Sequence, residues 1–67
     1  MKTFGNRLRE AIKADGISEA DFCRYTGFSH QYLSHIIHDT QKPSFKTLQK
    51  ILQKLPDVDG RWLILGQ

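Results

Sequence analysis

The sequence predicts an all-α domain of five short helices. Three observations carry that expectation. Apolar residues recur at three- and four-residue intervals along nearly the whole chain, no segment alternates for long enough to form a strand, and the hydroxyl residues Thr3, Ser18, Ser29 and Ser44 each stand just before such a periodic run. At 67 residues the chain is sized for a single domain spanning 1–67, with no internal repeat, low-complexity tract or linker.

The first helix is expected from Phe4 to Asp15, capped by Thr3 and stopped at Gly16. Phe4, Leu8, Ala11 and Ile12 form its buried stripe, leaving Lys2, Arg7, Arg9 and Lys13 outward. The second and third helices lie within about 18–38 and share one design. Ser18 caps the second with Asp21 three residues on, and Ser29 caps the third. Ile17 can staple onto Phe22, and Phe28 onto Leu33 at the same spacing. That leaves only Thr26-Gly27 as the connection, with glycine supplying the positive φ of a tight turn. Cys23 supplies a small side chain where the two helices cross.

On the third helix, Leu33, Ile36 and Ile37 fall on one face at about 100° per residue. The opposite flank carries His30, Gln31, Ser34, His35 and His38, with no acid among them. An ordinary solvated helix mixes Glu and Lys at such positions. A short helix offering neutral hydrogen-bonding groups is suited instead to reading base edges in a major groove.

Pro43 ends the loop that begins at Asp39 and sets up Ser44 as the next cap. The fourth helix then presents Phe45, Leu48, Ile51, Leu52 and Leu55 as its apolar stripe, with Lys46, Lys50 and Lys54 outside as a soluble face. The fifth begins at Asp59, with Val58 and Leu63 in staple register, and ends at Gly66. Trp62, Leu63, Ile64 and Leu65 are apolar on every side of one turn. Either some of that surface is kept for a partner chain, or all four close the small core.

Ten Lys and Arg against seven Asp and Glu give a net charge of +3, which favours a polyanionic partner. A lone cysteine excludes a disulfide framework and suits a reducing cytoplasm. No apolar run is long enough for a membrane span, and Met1-Lys2-Thr3-Phe4 does not open a signal peptide. Cys23, His30, His35 and His38 lack the paired spacing of a metal site, and the serines are taken by caps, so neither metal, cofactor nor catalysis is expected.

Ile17-Ser18, Phe22-Cys23, Thr26-Gly27, Phe28-Ser29, Tyr32-Leu33-Ser34, Lys42-Pro43-Ser44, Asp57-Val58 and Trp62-Leu63 together resemble the lambda-repressor/Cro (Xre-type) helix-turn-helix family. The resemblance covers nearly the whole chain. It looks closest to the N-terminal DNA-binding domains of phage-type repressors, with Leu55-Pro56-Asp57-Val58 leading to Trp62-Leu63-Ile64-Leu65-Gly66. It implies a compact lambda-repressor-like fold that binds double-stranded DNA as a homodimer and regulates transcription.

By position in that motif, His30, Gln31, Ser34 and His35 match base-facing slots. Ser29, Tyr32 and His38 match positions nearer the backbone, and Lys42, Ser44 and Lys46 flank the recognition helix and grip phosphate. Arg7 and Arg9 become phosphate candidates, and Ile64 and Leu65 a two-fold dimer contact. Gln31 can pair bidentately with adenine, and neutral histidine can donate to guanine acceptors. Protonation of the histidines should tighten binding as pH falls towards about 6.

Several positions depart from the family pattern. An arginine in the first helix and a glutamate at the end of the third are replaced by Ile12 and Ile37, which should touch. The usual glutamine opening the second helix is Glu19, and the usual glycine after the third is Asp39. Glu19 and the modest charge leave open an antitoxin-like or anti-repressor module that docks on a protein. Members of this kind also continue into a C-terminal domain, for which this chain would be the N-terminal part.

Overall fold

The computed structural model describes residues 2–67 as five helices: α1 (Phe4–Ala14), α2 (Glu19–Thr26), α3 (His30–Ile37), α4 (Phe45–Lys54) and α5 (Gly60–Leu65). Among the described residues there is no strand. Each helix starts where a short polar side chain can accept from its first free N–H groups. The hydroxyls of Thr3, Ser18, Ser29 and Ser44 accept from the N–H of Asn6, Asp21, Tyr32 and Thr47, and the Asp59 carboxylate accepts from Arg61 and Trp62. The capping box at α2 is one-sided, because the Asp21 carboxylate pairs with Arg24 rather than reaching back.

α1 packs against α3 and α5, and α2 against α3 and α4, so α3 lies against two neighbours. Leu8, Phe22, Leu33, Ile36, Ile51 and Leu63 form the centre of one buried cluster, with Ile17, Phe28 and Val58 packed on its edge at the three staple positions. Ile12 and Ile37 belong to the same cluster, at 2% and 3% exposure. Thr26 is buried too. Its hydroxyl is satisfied by the Phe22 carbonyl at 2.8 Å, so it closes α2 just before Gly27 turns the chain at φ 81°.

Three expected placements are corrected. Phe45 is 75% exposed instead of joining the α4 stripe. The side of α4 that is buried runs through Thr47 and Ile51, and at about 100° per residue Phe45 falls far round the helix from both. Arg7 does not point outward. Its Nε donates to the Leu63 carbonyl at 2.8 Å and its Nη2 to the Ile64 carbonyl at 3.2 Å, satisfying carbonyls near the end of α5. Lys50 is half-buried, with Nζ 5.9 Å from the centre of the Phe28 ring. In α5, Leu63 is fully buried and Trp62 half-buried, whereas Ile64 and Leu65 remain 38% and 60% exposed, so these four residues do not all close the core.

The contact of α1 with α3 is made backbone to backbone. A Cβ on Gly5 would lie 2.0 Å from the Ile37 carbonyl oxygen and 2.8 Å from that of Ile36, so only glycine fits. Next to this contact Asp39 adopts φ 61°, the one left-handed residue other than glycine among those described. Its N–H donates to the Ile36 carbonyl and the N–H of Thr40 to that of His35, which is the paired closure of a Schellman turn. Glycine would meet the backbone requirement more cheaply. The carboxylate adds what glycine lacks: it accepts from the Thr3 hydroxyl and from the Gly5 N–H at 3.0 Å, capping α1 from the end of α3. The Thr3 hydroxyl first, then the Gly5 N–H, hold the Asp39 carboxyl below its usual range, with Arg7 and His38 adding smaller electrostatic contributions.

Gly5→Ala should therefore destabilise despite the roughly 1 kcal/mol that alanine gains over glycine in a helix, because the clash is with a backbone carbonyl and overpacking costs about 1–3 kcal/mol or more. A melting temperature equal to or above that of the unsubstituted chain would show that the two helices can separate at no cost. Asp39→Ala should lose about 1–3 kcal/mol from the missing cap and the left-handed backbone, and Asp39→Asn clearly less. Because the folded carboxyl is depressed, its contribution is complete above the unfolded value of about 3.9 and disappears as pH falls through the lower folded value. The stability difference between the unsubstituted chain and Asp39→Asn should accordingly shrink on acidification; thermal unfolding at a series of pH values measures it.

Candidate nucleic-acid interface

α3 is only eight residues long, too short to be helical alone, so its polar flank is oriented entirely by what holds its apolar side. With Leu33, Ile36 and Ile37 buried, His30, Gln31, Ser34, His35 and His38 all remain exposed along the opposite side. At the start of α3, Phe28 packs edge-on between Phe22 and Tyr32, with ring centres 6.4 Å and 5.4 Å away. The Tyr32 hydroxyl meets that of Thr47 at 2.7 Å, and the Ser44 hydroxyl donates to Thr47 at 3.0 Å. These bonds fix the start of α4 beside the start of α3. Ser44 and the exposed Lys42 and Lys46 are thereby brought next to the flank.

A shallow hollow lined by Ser29, Gln31, Tyr32, His35 and Gln41 lies on this side of the molecule. At the other end of α3, the His35 ring is held by Thr40: Nδ1 lies 2.9 Å from Oγ1. The His35 carbonyl accepts from the N–H of Thr40 at 3.0 Å and of Gln41 at 3.3 Å. Sequence reasoning passed over Thr40, Gln41 and Thr47. Thr40 and Gln41 lie in a loop with no periodicity to flag them, and Thr47 is a polar residue at a core position, betrayed only by its three-residue spacing from the cap Ser44.

Charge is distributed unevenly over this surface. The ion pairs among the described residues are Lys2–Glu10, Arg9–Glu19 and Arg24–Asp21, which leave Lys42 and Lys46 outside them. Arg9 thus faces Glu19 at 3.7 Å, in the place where the family pattern has a glutamine. Arg7, turned onto α5, does not join Lys42 and Lys46 on the surface beside α3. Ile64 and Leu65 lie on α5, which packs on α1.

The cysteine and three of the four serines are committed to the fold. Burial first, then the nearby Glu19 carboxylate, push the Cys23 thiol up, away from the reactive thiolate, and its Sγ faces the Ser29 carbonyl at 3.9 Å. The serine hydroxyls at 18, 29 and 44 are engaged as caps. No three His, Cys, Asp or Glu side chains among the described residues converge, and no helix there is long and apolar enough to cross a membrane.

A family model described as helix-turn-helix matches residues 8–63, from within α1 to the buried Leu63 of α5. No curated protein and no solved structure matches the chain. The match spans all five helices and contains α2, the Gly27 turn and α3 in the expected order. The chain belongs to the Xre/lambda-repressor-type helix-turn-helix family of DNA-binding transcriptional regulators.

Proposed function

We propose that the chain is a phage- or prophage-type repressor that binds double-stranded DNA as a two-fold dimer, with α3 lying in the major groove. The observation that carries this is the flank of α3. Five exposed polar side chains, none acidic, run along a helix whose other side is fully buried. His30, Gln31, Ser34 and His35 are the base readers. Ser29, Tyr32, His38, Lys42, Ser44 and Lys46 face the backbone, where the free N–H groups at the starts of α3 and α4 add to the attraction for phosphate. Arg9 is the remaining phosphate candidate on α1, shared with Glu19; Arg7 is withdrawn by its bonds to α5. Ile64 and Leu65 supply the dimer contact, since both stay exposed on α5.

One feature favours a second reading. Phe45, 75% exposed beside the cationic residues at the start of α4, is the kind of side chain a protein partner would cover, as in an antitoxin-like or anti-repressor module. Salt separates the two. A phosphate-driven complex should lose orders of magnitude in affinity between low and moderate salt, whereas one built around Phe45 should change little.

Selection from a random duplex library, followed by binding measurements at several salt concentrations, tests the first reading. Gln31→Ala should lose about 1–3 kcal/mol on the selected site and almost nothing on random DNA. Lys42→Ala should weaken both, with the salt slope shallower by about one. Equal losses on both duplexes for Gln31→Ala would remove that residue from the reading set.

A further inference from the structure

Of the four proposed base readers, His35 is the only one whose side chain is held by a hydrogen bond among the described residues, and which of the two groups donates in it depends on the ring tautomer. Thr40 Oγ1 lies 2.9 Å from His35 Nδ1 and 3.2 Å from the His35 carbonyl oxygen. A threonine hydroxyl has one hydrogen to give and lone pairs with which to accept. If the hydrogen went to Nδ1, the hydroxyl and carbonyl oxygens would face each other at 3.2 Å with no proton between them. If it goes to the carbonyl, Oγ1 is free to accept from Nδ1–H, and both contacts are satisfied. The same carbonyl also accepts from the backbone N–H of Thr40 at 3.0 Å and, at a longer 3.3 Å, from that of Gln41, so the hydroxyl is presented from a fixed backbone. In neutral imidazole a proton on Nδ1 leaves Nε2 bare, as an acceptor.

We infer that Thr40 is a positioning residue that fixes neutral His35 in its Nδ1–H form, so that the outer Nε2 selects a base carrying a major-groove amino group, adenine N6 or cytosine N4. This rests on the reading that α3 lies in the major groove. It reverses the sequence-based expectation for this histidine, because guanine offers only the acceptors N7 and O6 there and cannot donate to a bare Nε2. Gln31 and Ser34, which can both donate and accept, carry no such restriction.

Two measurements on the full chain test this independently. The first needs no DNA: long-range proton–nitrogen correlation NMR at about pH 8, where the imidazole is read in its neutral form. His35 should show a protonated Nδ1 and a bare Nε2. Thr40→Val should lose that signature and Thr40→Ser should keep it. A proton on Nε2 in the unsubstituted chain would overturn the proposal.

The second uses a duplex selected from a random library and base analogues at the position whose preference disappears in His35→Ala. Deleting the amino group there, with purine for adenine or a pyrimidinone for cytosine, should weaken binding about tenfold in the unsubstituted chain and in Thr40→Ser. In Thr40→Val and His35→Ala the loss should be no more than about twofold. A loss on deleting guanine N7 instead, with none for the amino group, would overturn the assignment while leaving the DNA reading intact. Failure to select any duplex would remove the base-reading role together with the proposed function, even if the NMR signature were present.

Discussion

The position of α3 depends on the junction where its last turn meets the first turn of α1. Gly5 lets the two backbones approach until no side chain could fit between them, and Asp39 bonds across the gap to Thr3 and Gly5. An isolated helix of this length would not persist in water, so its direction is inherited from the elements that clamp it. The clamp works at both ends: α1 holds the C-terminal turn, and the Tyr32–Thr47–Ser44 hydroxyls hold the start against α4. Beneath the helix, Ile12 and Ile37 replace the ion pair expected from the family pattern with buried apolar surface, avoiding the desolvation that a buried charge pair requires. Polar connection is thereby moved to the rim of the α1–α3 contact, where Asp39 remains open to water and keeps its charge at little desolvation cost.

The same arrangement governs the electrostatics of the surface. Asp39 is the acid nearest in sequence to the α3 flank, and its carboxylate is turned onto the start of α1. Glu10, Glu19 and Asp21 face Lys2, Arg9 and Arg24, and Asp59 caps α5. Arg7 is used on the carbonyls of α5. What remains beside α3 is a run of hydrogen-bonding side chains with no acid among them, next to Lys42 and Lys46. A small net charge is compatible with DNA binding when it is distributed this way, since the local field, not the total, meets the phosphates.

Much of this was readable from residue spacing. The caps, the three staples, the Gly27 turn and the buried and exposed sides of α3 all follow from local rules that act within one or two helical turns. What spacing could not give involves partners distant in sequence. Gly5 looks like an unfavourable residue in a helix until Ile37 is placed against it, and Asp39 looks like a poor substitute for glycine until its carboxylate is seen on α1. Arg7 reads as an outward cation because nothing near it in sequence reveals the carbonyls of Leu63 and Ile64. Phe45 shares the register of Leu48 and Leu52, but the side of α4 that the fold buries is set by Thr47 and Ile51, and a polar residue at its centre gives periodicity nothing to mark. Thr40 sits in a loop where periodicity is silent, and its link to His35 depends on the Schellman turn that Asp39 closes.

In the proposed complex a short helix, packed on α1 and α2 and tied at its start to α4, presents residues 30–38 to base edges. Chemical-shift mapping of the labelled chain on addition of its selected duplex tests it most directly. The largest changes should fall on the side chains of His30, Gln31, Ser34 and His35 and on the amides at the starts of α3 and α4. The buried residues of α1 and α5 should stay nearly unmoved. Changes concentrated instead around Arg9 and Glu19, with residues 30–38 undisturbed, would contradict it.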